Sequence, residues 1–339
     1  MHNKIECNTA IAHKKNQRTL IDLHCDTLSG LLKMDFQESI RQNHLQVNLE
    51  GMQKAGTMVQ FFACFVNAAS YNDVPNDIWD SAYQDVLKMA AKMEQETDDE
   101  LRIARNIDEI QEHFKNGQIS AILTVEEGGV LNGDLHRLEH LYAKGIRLIT
   151  LTWNYENCIG YPNSPDPSKM KKPLKPFGLE VIHRMNELGM MIDVSHLSDG
   201  GFWDCIQYSQ APVVASHSNA RALNNHPRNL SDDMLKALAE KGGIAGLNFY
   251  PAFLHKSNQE ATVQDIARHA AYMIQTAGED LPAIGTDFDG FDAPDITGYP
   301  SSVQEMELVY ECMKRYGISE RQLDKIWSGN AQRILREIL

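Results

Sequence analysis

The chain has 339 residues, 42% of them apolar and 23% charged, enough for a sizeable core in one large or two ordinary domains. Its formal net charge of -14 argues against a nucleic-acid partner and against an anionic membrane surface, because both demand clustered Lys and Arg. No apolar run reaches the length of a membrane span, so no membrane association is expected.

Residues 1–18 are polar, carry Lys4, Lys14, Lys15 and Arg18, and lack the apolar middle of a signal peptide. They read as a loosely ordered arm, and nothing in them marks the chain for export. Cysteines stand at 7, 25, 64, 158, 205 and 312, with no Cys-x-x-Cys among them. Reduced thiols in the cytoplasm are the expected state. From 19 to 339 the chain alternates short β-like runs with longer amphipathic stretches. The β-like runs span 19–24, 57–66, 119–125, 146–152, 190–194, 212–216, 243–248 and 281–287. Several are almost continuously apolar, as in Ile119-Ser120-Ala121-Ile122-Leu123, which suits strands covered on both faces. Helices are expected over 78–97, 175–188, 231–241, 261–277 and 301–315, with two more near 318–326 and 329–338 to close the structure. Ser231 is suited to cap one of them, and Gly189, Gly242 and Gly278 to end others. Eight β/α pairs predict an α/β chain folded as one (β/α)8 TIM-like barrel over 19–339. The Pro-rich stretch 160–176 is expected to be a lid.

The chemistry lies at the ends of the β-like runs. His24 and Asp26 end the first; Glu126 follows the third; His196, His217 and Asp287 close the fifth, sixth and eighth. In a barrel all six lie at the C-terminal mouth, where barrel enzymes keep their active sites. A single His after a strand is ordinarily a satisfied polar residue, and a lone carboxylate there is ordinarily a helix cap. Six together are different, because buried charges converge at large cost unless a cation joins them. Three imidazoles and three carboxylates suit two adjacent zinc-like ions, one carboxylate bridging the pair, which makes the barrel a metal-dependent hydrolase type. Asp26, Glu126 and a bridging hydroxide offset three of the four positive charges. The excess polarises a carbonyl, and Asp287 is left to carry a proton.

These motifs resemble the membrane dipeptidase (renal dipeptidase) family of binuclear zinc peptidases. The matching pieces are Ile21-Asp22-Leu23-His24-Cys25-Asp26, Val125-Glu126, Asp193-Val194-Ser195-His196, Ala215-Ser216-His217-Ser218-Asn219-Ala220, His226-Pro227-Arg228-Asn229 and Gly285-Thr286-Asp287-Phe288-Asp289-Gly290. The resemblance runs from about 20 to 335. It implies a zinc-dependent dipeptidase with two Zn2+ ions, one on His24, Asp26 and Glu126 and the other on Glu126, His196 and His217. A metal-bridging hydroxide would attack the peptide bond, with Glu126 and Asp287 in the catalytic machinery and Asp287 as proton shuttle. Arg228 would bind the dipeptide's C-terminal carboxylate with its planar fork. L,D-dipeptides are implied substrates and a homodimer the implied assembly. One departure stands out. Family members carry a His in a Thr-Leu-Thr-His pattern where this chain has Thr150-Leu151-Thr152-Trp153-Asn154-Tyr155. Trp153 donates through its indole N–H but cannot shuttle a proton as imidazole does. Asn154 or Tyr155 is expected to face the substrate instead.

Other signals are weaker. His136-Arg137-Leu138-Glu139-His140 matches an inverted zincin pattern, but its helix also carries Leu135, Leu138 and Leu141, so a solvated face is expected. Cys25 is expected to pack beneath the site. The enzymatic rival is another binuclear amidohydrolase, such as a cyclic amidase, lactonase or phosphotriesterase. Many of those bridge their metals with a modified Lys, and no Lys occurs in Ile146 to Thr152. The non-enzymatic rival is a barrel that has lost turnover and only binds.

Overall fold

The computed structural model describes residues 18–72, 77–292 and 296–339. Its strands are β1 (Leu20–Cys25), β2 (Thr57–Phe65), β3 (Leu101–Ile103), β4 (Ile119–Glu126), β5 (Ile146–Thr150), β6 (Met191–Asp193), β7 (Val213–Ala215), β8 (Ile244–Leu247) and β9 (Pro282–Ile284). All pair in parallel in the order β2-β1-β9-β8-β7-β6-β5-β4-β3. A further β2–β4 pairing closes eight of them into a ring, the (β/α)8 barrel. The extra strand, β3, has only three residues and pairs with Ile119–Ala121 at the base of β4, below the point where β5 joins at Leu123. Three residues are too few for a periodic signal, so the sequence does not announce it.

The strands read as near-continuous apolar runs because both of their faces are covered. Every residue of β1 and β4 is buried. Alternate positions part company: Ile21, Leu23, Phe61, Ile122, Leu148, Val214 and Ile244 fill the barrel interior, while Leu20, Phe62, Leu123 and Ile149 pack outward against the helices. The C-terminal helix Asn330–Ile338 adds Ala331, Ile334 and Leu335 to the interior cluster. It thereby plugs the end of the barrel at which the strands begin and leaves the other end free for chemistry. No described helix is long and apolar enough to cross a membrane.

Local chemistry places the helices where expected. Ser231 accepts a hydrogen bond from Met234 N to start Asp232–Glu240, and Gly189 at φ 69° ends Pro176–Leu188. Residues 1–17 of the expected arm lie outside the described residues; Arg18 pairs with Glu307 at 2.7 Å and stacks on Tyr310. The expected lid needs correction. Residues 160–176 contribute nothing to the cavity lining. Instead Asn163 donates from N and Nδ2 to the His196 carbonyl, at 2.7 and 3.0 Å, and Ser198 N donates to Tyr161 O. The segment braces the turn after β6.

Candidate metal centre

The six strand-end residues meet at the C-terminal mouth, each buried except Asp287, which is partly exposed. Glu126, the last residue of β4, stands between two groups. Its Oε2 lies 3.2 Å from His24 Nε2. Its Oε1 lies 3.0 Å from His196 Nε2 and 3.6 Å from His217 Nε2. His24 Nε2 also approaches Asp26 Oδ2 at 3.4 Å and Asp287 Oδ1 at 3.8 Å. Two sets of ligand atoms each converge closely enough for one ion: His24, Glu126 and His217, and His24, Asp26 and Asp287. Sharp turns create this convergence. His196 and Asp287 adopt φ 66° and 64°, and Asp289 φ 67°, a left-handed conformation costly for residues with a Cβ and concentrated at functional sites. Gly290 follows because a Cβ there would come within 2.5 Å of both Asp26 Oδ2 and Asp287 Oδ1.

The donor set fits divalent ions on its own atoms. Among the described residues, His24 Nδ1 and Nε2, Asp26 Oδ1 and Glu126 Oε1 are buried without hydrogen-bond partners, the His24 contacts being close enough for ion pairs but off hydrogen-bonding geometry. Buried polar atoms are ordinarily satisfied, and four such atoms in one cluster suit a cation as their common partner. The two other imidazoles agree. His196 Nδ1 faces the acceptor Asn154 Oδ1 at 3.1 Å, so Nδ1 carries that ring's proton. Its bare Nε2 then points at His217 Nε2, 3.0 Å away.

Electrostatics divide the site. Burial opposes a charge on His24, but Glu126 and Asp26 outweigh it and hold that imidazole well above its ordinary range. Burial pushes His196 and His217 well below theirs, with Arg228 and His24 adding to the effect. Burial lifts the carboxyls of Glu126 and Asp287 above the usual range, with His24 pulling the other way. A bound dication would reverse the trends at His24, Glu126 and Asp287 and reinforce those at His196 and His217, because it favours carboxylates and neutral imidazoles together.

A cavity of about 860 Å³ opens above Asp26, Glu126, His196 and Asp287. Trp153 and Asn154 line it with Phe65, Tyr71, Tyr250, Phe253 and Phe291. Tyr155 does not; it is 39% exposed and packs against Trp153 with ring centroids 5.7 Å apart. Arg228 is buried behind the cavity wall over the Phe253 ring, donating to Ser218 Oγ and the His217 carbonyl and leaving Nε unpaired. Cys25 packs beneath the ligands, its thiol facing the Phe61 carbonyl. In the inverted zincin pattern His136 is exposed and approaches Glu139 at 3.7 Å, but Glu139 also pairs with Arg184 and His140 Nδ1 turns to Tyr83 OH, so the three do not meet at one point.

Sequence reading did not single out three supporting residues. Asn248, just after β8, donates to Asp287 Oδ2 at 2.8 Å. Glu127 accepts from Gly129 N, Trp153 N and Asn157 Nδ2, tying the loops after β4 and β5 together, and burial raises its carboxyl to about 7. Asp22 accepts from Thr286 N and Oγ1 and from Gln60, joining β1 to the residue before Asp287. Asp22 and Glu127 adjoin ligand motifs and Asn248 follows a strand that carries no ligand; the partners Thr286, Trp153 and Asp287 that give them their roles lie 26 or more residues away.

Comparison with known proteins gives a consistent answer. Residues 11–339 match the family described as membrane dipeptidase (peptidase family M19). An uncharacterized protein of Klebsiella pneumoniae is 32% identical over 78% of this chain and 98% of its own length. An uncharacterized dipeptidase of Schizosaccharomyces pombe is 29% identical over 91% of this chain and 75% of its own. Among solved structures, dipeptidase AC superposes with a TM-score of 0.86 at 26% identity, covering 95% of this chain and 99% of that one. A metallopeptidase from Rhodobacter sphaeroides, liganded with a phosphinate mimic of the dipeptide L-Ala-D-Ala, gives 0.84 at 26% identity, covering 96% and 100%.

Proposed function

This chain belongs to the membrane dipeptidase family (peptidase family M19) and is a dipeptide-hydrolysing metalloenzyme; from that premise we propose that it works with two zinc ions and accepts L,D- as well as L,L-dipeptides. The observation that carries the reading is the split of Glu126, one carboxylate oxygen toward His24 and the other toward His196 and His217. His24, Asp26 and Glu126 would hold one ion, and Glu126, His196 and His217 the other. When bound, the ions would polarise the scissile carbonyl and make a water molecule acidic enough to attack at neutral pH.

The remaining work falls to the chain. Asp287 presents Oδ1 to the site while Asn248 holds Oδ2, so one oxygen takes a proton from the attacking water and returns it to the leaving amine. From behind the cavity wall Arg228 would supply the positive charge that selects a free carboxylate. Trp153 and Asn154 contact the substrate, and Tyr155 holds the Trp153 ring from the solvent side. Acceptance of a D-residue draws support from the L-Ala-D-Ala mimic on the Rhodobacter relative and from a cavity roomier than a small dipeptide needs. A cytoplasmic setting fits the described cysteines 25, 64, 158, 205 and 312, all unpaired.

Zinc content measured beside hydrolysis of a panel of L,L- and L,D-dipeptides tests the proposal. Two zincs per chain with turnover of both classes is expected. Two zincs without dipeptide turnover would overturn the substrate reading, and a single zinc would overturn the bridged pair.

A further inference from the structure

We propose that Asp193 and Ser216 are positioning residues that set the tautomer of His217, keeping its Nε2 free of a proton and ready to bind a metal ion. This assignment rests on the two-ion reading above.

Asp193 is the last residue of β6 and wholly buried. Its Oδ1 accepts from Ser195 N at 3.0 Å and Ser216 N at 2.9 Å. Its Oδ2 accepts from Thr150 Oγ1 and Ser216 Oγ, both at 2.6 Å. Four donors fill the acceptor capacity of the carboxylate. Ser216 has one hydroxyl proton, and a 2.6 Å approach to a carboxylate oxygen requires that proton between them. Turned toward the imidazole, it would leave two oxygens facing each other at 2.6 Å with nothing to join them. The Ser216 oxygen is therefore an acceptor toward His217 Nδ1, 2.7 Å away, and Nδ1 carries the ring hydrogen. Ser195 Oγ completes the set: it accepts from His217 N at 3.1 Å and lies 3.3 Å from Ser216 Oγ, to which it supplies a second donor. Ser195, Ser216 and His217 are as fully buried as Asp193, so water has no ready access to replace a lost member. The relay thus runs from β5 and β6 through the end of β7 to one ring nitrogen. Such outer partners of a ligating imidazole govern both its orientation and its basicity.

Asp193→Asn is the sharpest probe because it keeps the shape and inverts the relay. The two backbone donors keep the amide oxygen as acceptor, and the amide N–H2 now points at Ser216 Oγ. Ser216 turns its proton to His217 Nδ1, which drives the ring hydrogen to Nε2, where it competes with metal. Ring-nitrogen NMR on protein labelled with 15N-histidine, the His217 signals assigned by their loss in His217→Gln, reads the tautomer in the metal-free protein. Zinc affinity is read by competition with a chromogenic chelator. Wild type should show His217 as Nδ1–H, and Asp193→Asn as Nε2–H with zinc affinity lowered about 10- to 100-fold. Ser216→Ala, which strands the Nδ1 hydrogen, should weaken zinc by a similar factor. A wild-type His217 protonated at Nε2, or wild-type zinc affinity in Asp193→Asn, would overturn the assignment. A wild type that takes up no zinc would instead overturn the two-ion reading, while the ring-nitrogen pattern still decides this one.

Discussion

The two halves of the metal centre use the same residue types in opposite ways. On the β1–β9 side one imidazole, His24, is surrounded by Asp26, Glu126 and Asp287. On the β6–β7 side two imidazoles, His196 and His217, share one oxygen of Glu126. In the first half carboxylates outweigh burial and favour a charged imidazole; in the second burial wins and both rings stay neutral. Their supports differ as well. His196 and His217 each have an outer partner on Nδ1, Asn154 and Ser216, whereas His24 Nδ1 has none among the described residues. His24 is held by its strand and by the His217 ring, 3.9 Å away between centroids. An anion-rich half gains affinity from charge, and an anion-poor half must gain it from preorganised neutral nitrogens.

The strongest way to break this comparison is to remove the residue both halves share. Glu126→Ala should lose both ions, measured by elemental analysis, and at least about a thousandfold in kcat/KM. Retention of one tightly held ion would show that the halves are independent rather than bridged. Next comes Asp287→Asn, expected to lower kcat by about 10²- to 10⁴-fold with both ions kept. Loss of an ion with it would make Asp287 a ligand of the anion-rich half instead of a proton carrier.

A third test concerns stability on the neutral side. His269 is fully buried in the structure, accepts at Nδ1 from Ala220 N and reaches the Leu254 carbonyl through Nε2, bracing the segment after His217. Burial lowers its imidazole to about 4, against 6.5 for the free side chain. The unfolded chain therefore binds a proton between pH 6.5 and 4 that the folded chain refuses. This group's contribution falls with pH across that window, by about 3 kcal/mol, and is level below it. Denaturant unfolding of wild type and His269→Gln at pH 7 and pH 4.5 should show the smaller pH loss in the variant; parallel losses would sink the assignment. The smallest effect is confined to the acidic half. Gly290→Ala must push a methyl against Asp26 and Asp287, costing about 1–3 kcal/mol. It should weaken only one of the two proposed zincs in a titration, and equal weakening of both would overturn the division.

Much of the barrel was legible. The apolar runs around Leu20, Phe61 and Ile122 announce buried parallel strands, and the ligands mark where those strands end. The three-residue β3 is too short to be legible, and 160–176 differs from expectation because prolines in a long loop look alike whether the loop covers a cavity or braces a turn. Within the site, the ligand types stand out singly, but Asn248, Glu127 and His269 look like ordinary polar residues until their partners are in view.

Local period and side chains one or two residues apart thus fix where each strand lies to within about three residues, and which chemical types follow it. Only the tertiary structure decided which oxygen of Glu126 faces which imidazole, where the ring hydrogens of His196 and His217 sit, and that Arg228 lies behind the wall. The physical reason is closure of the barrel. It brings Asp22 against Thr286, 264 residues away, and Asp193 against Ser216, 23 away. Hydrogen-bond direction at 2.6–3.3 Å depends on all of those neighbours at once.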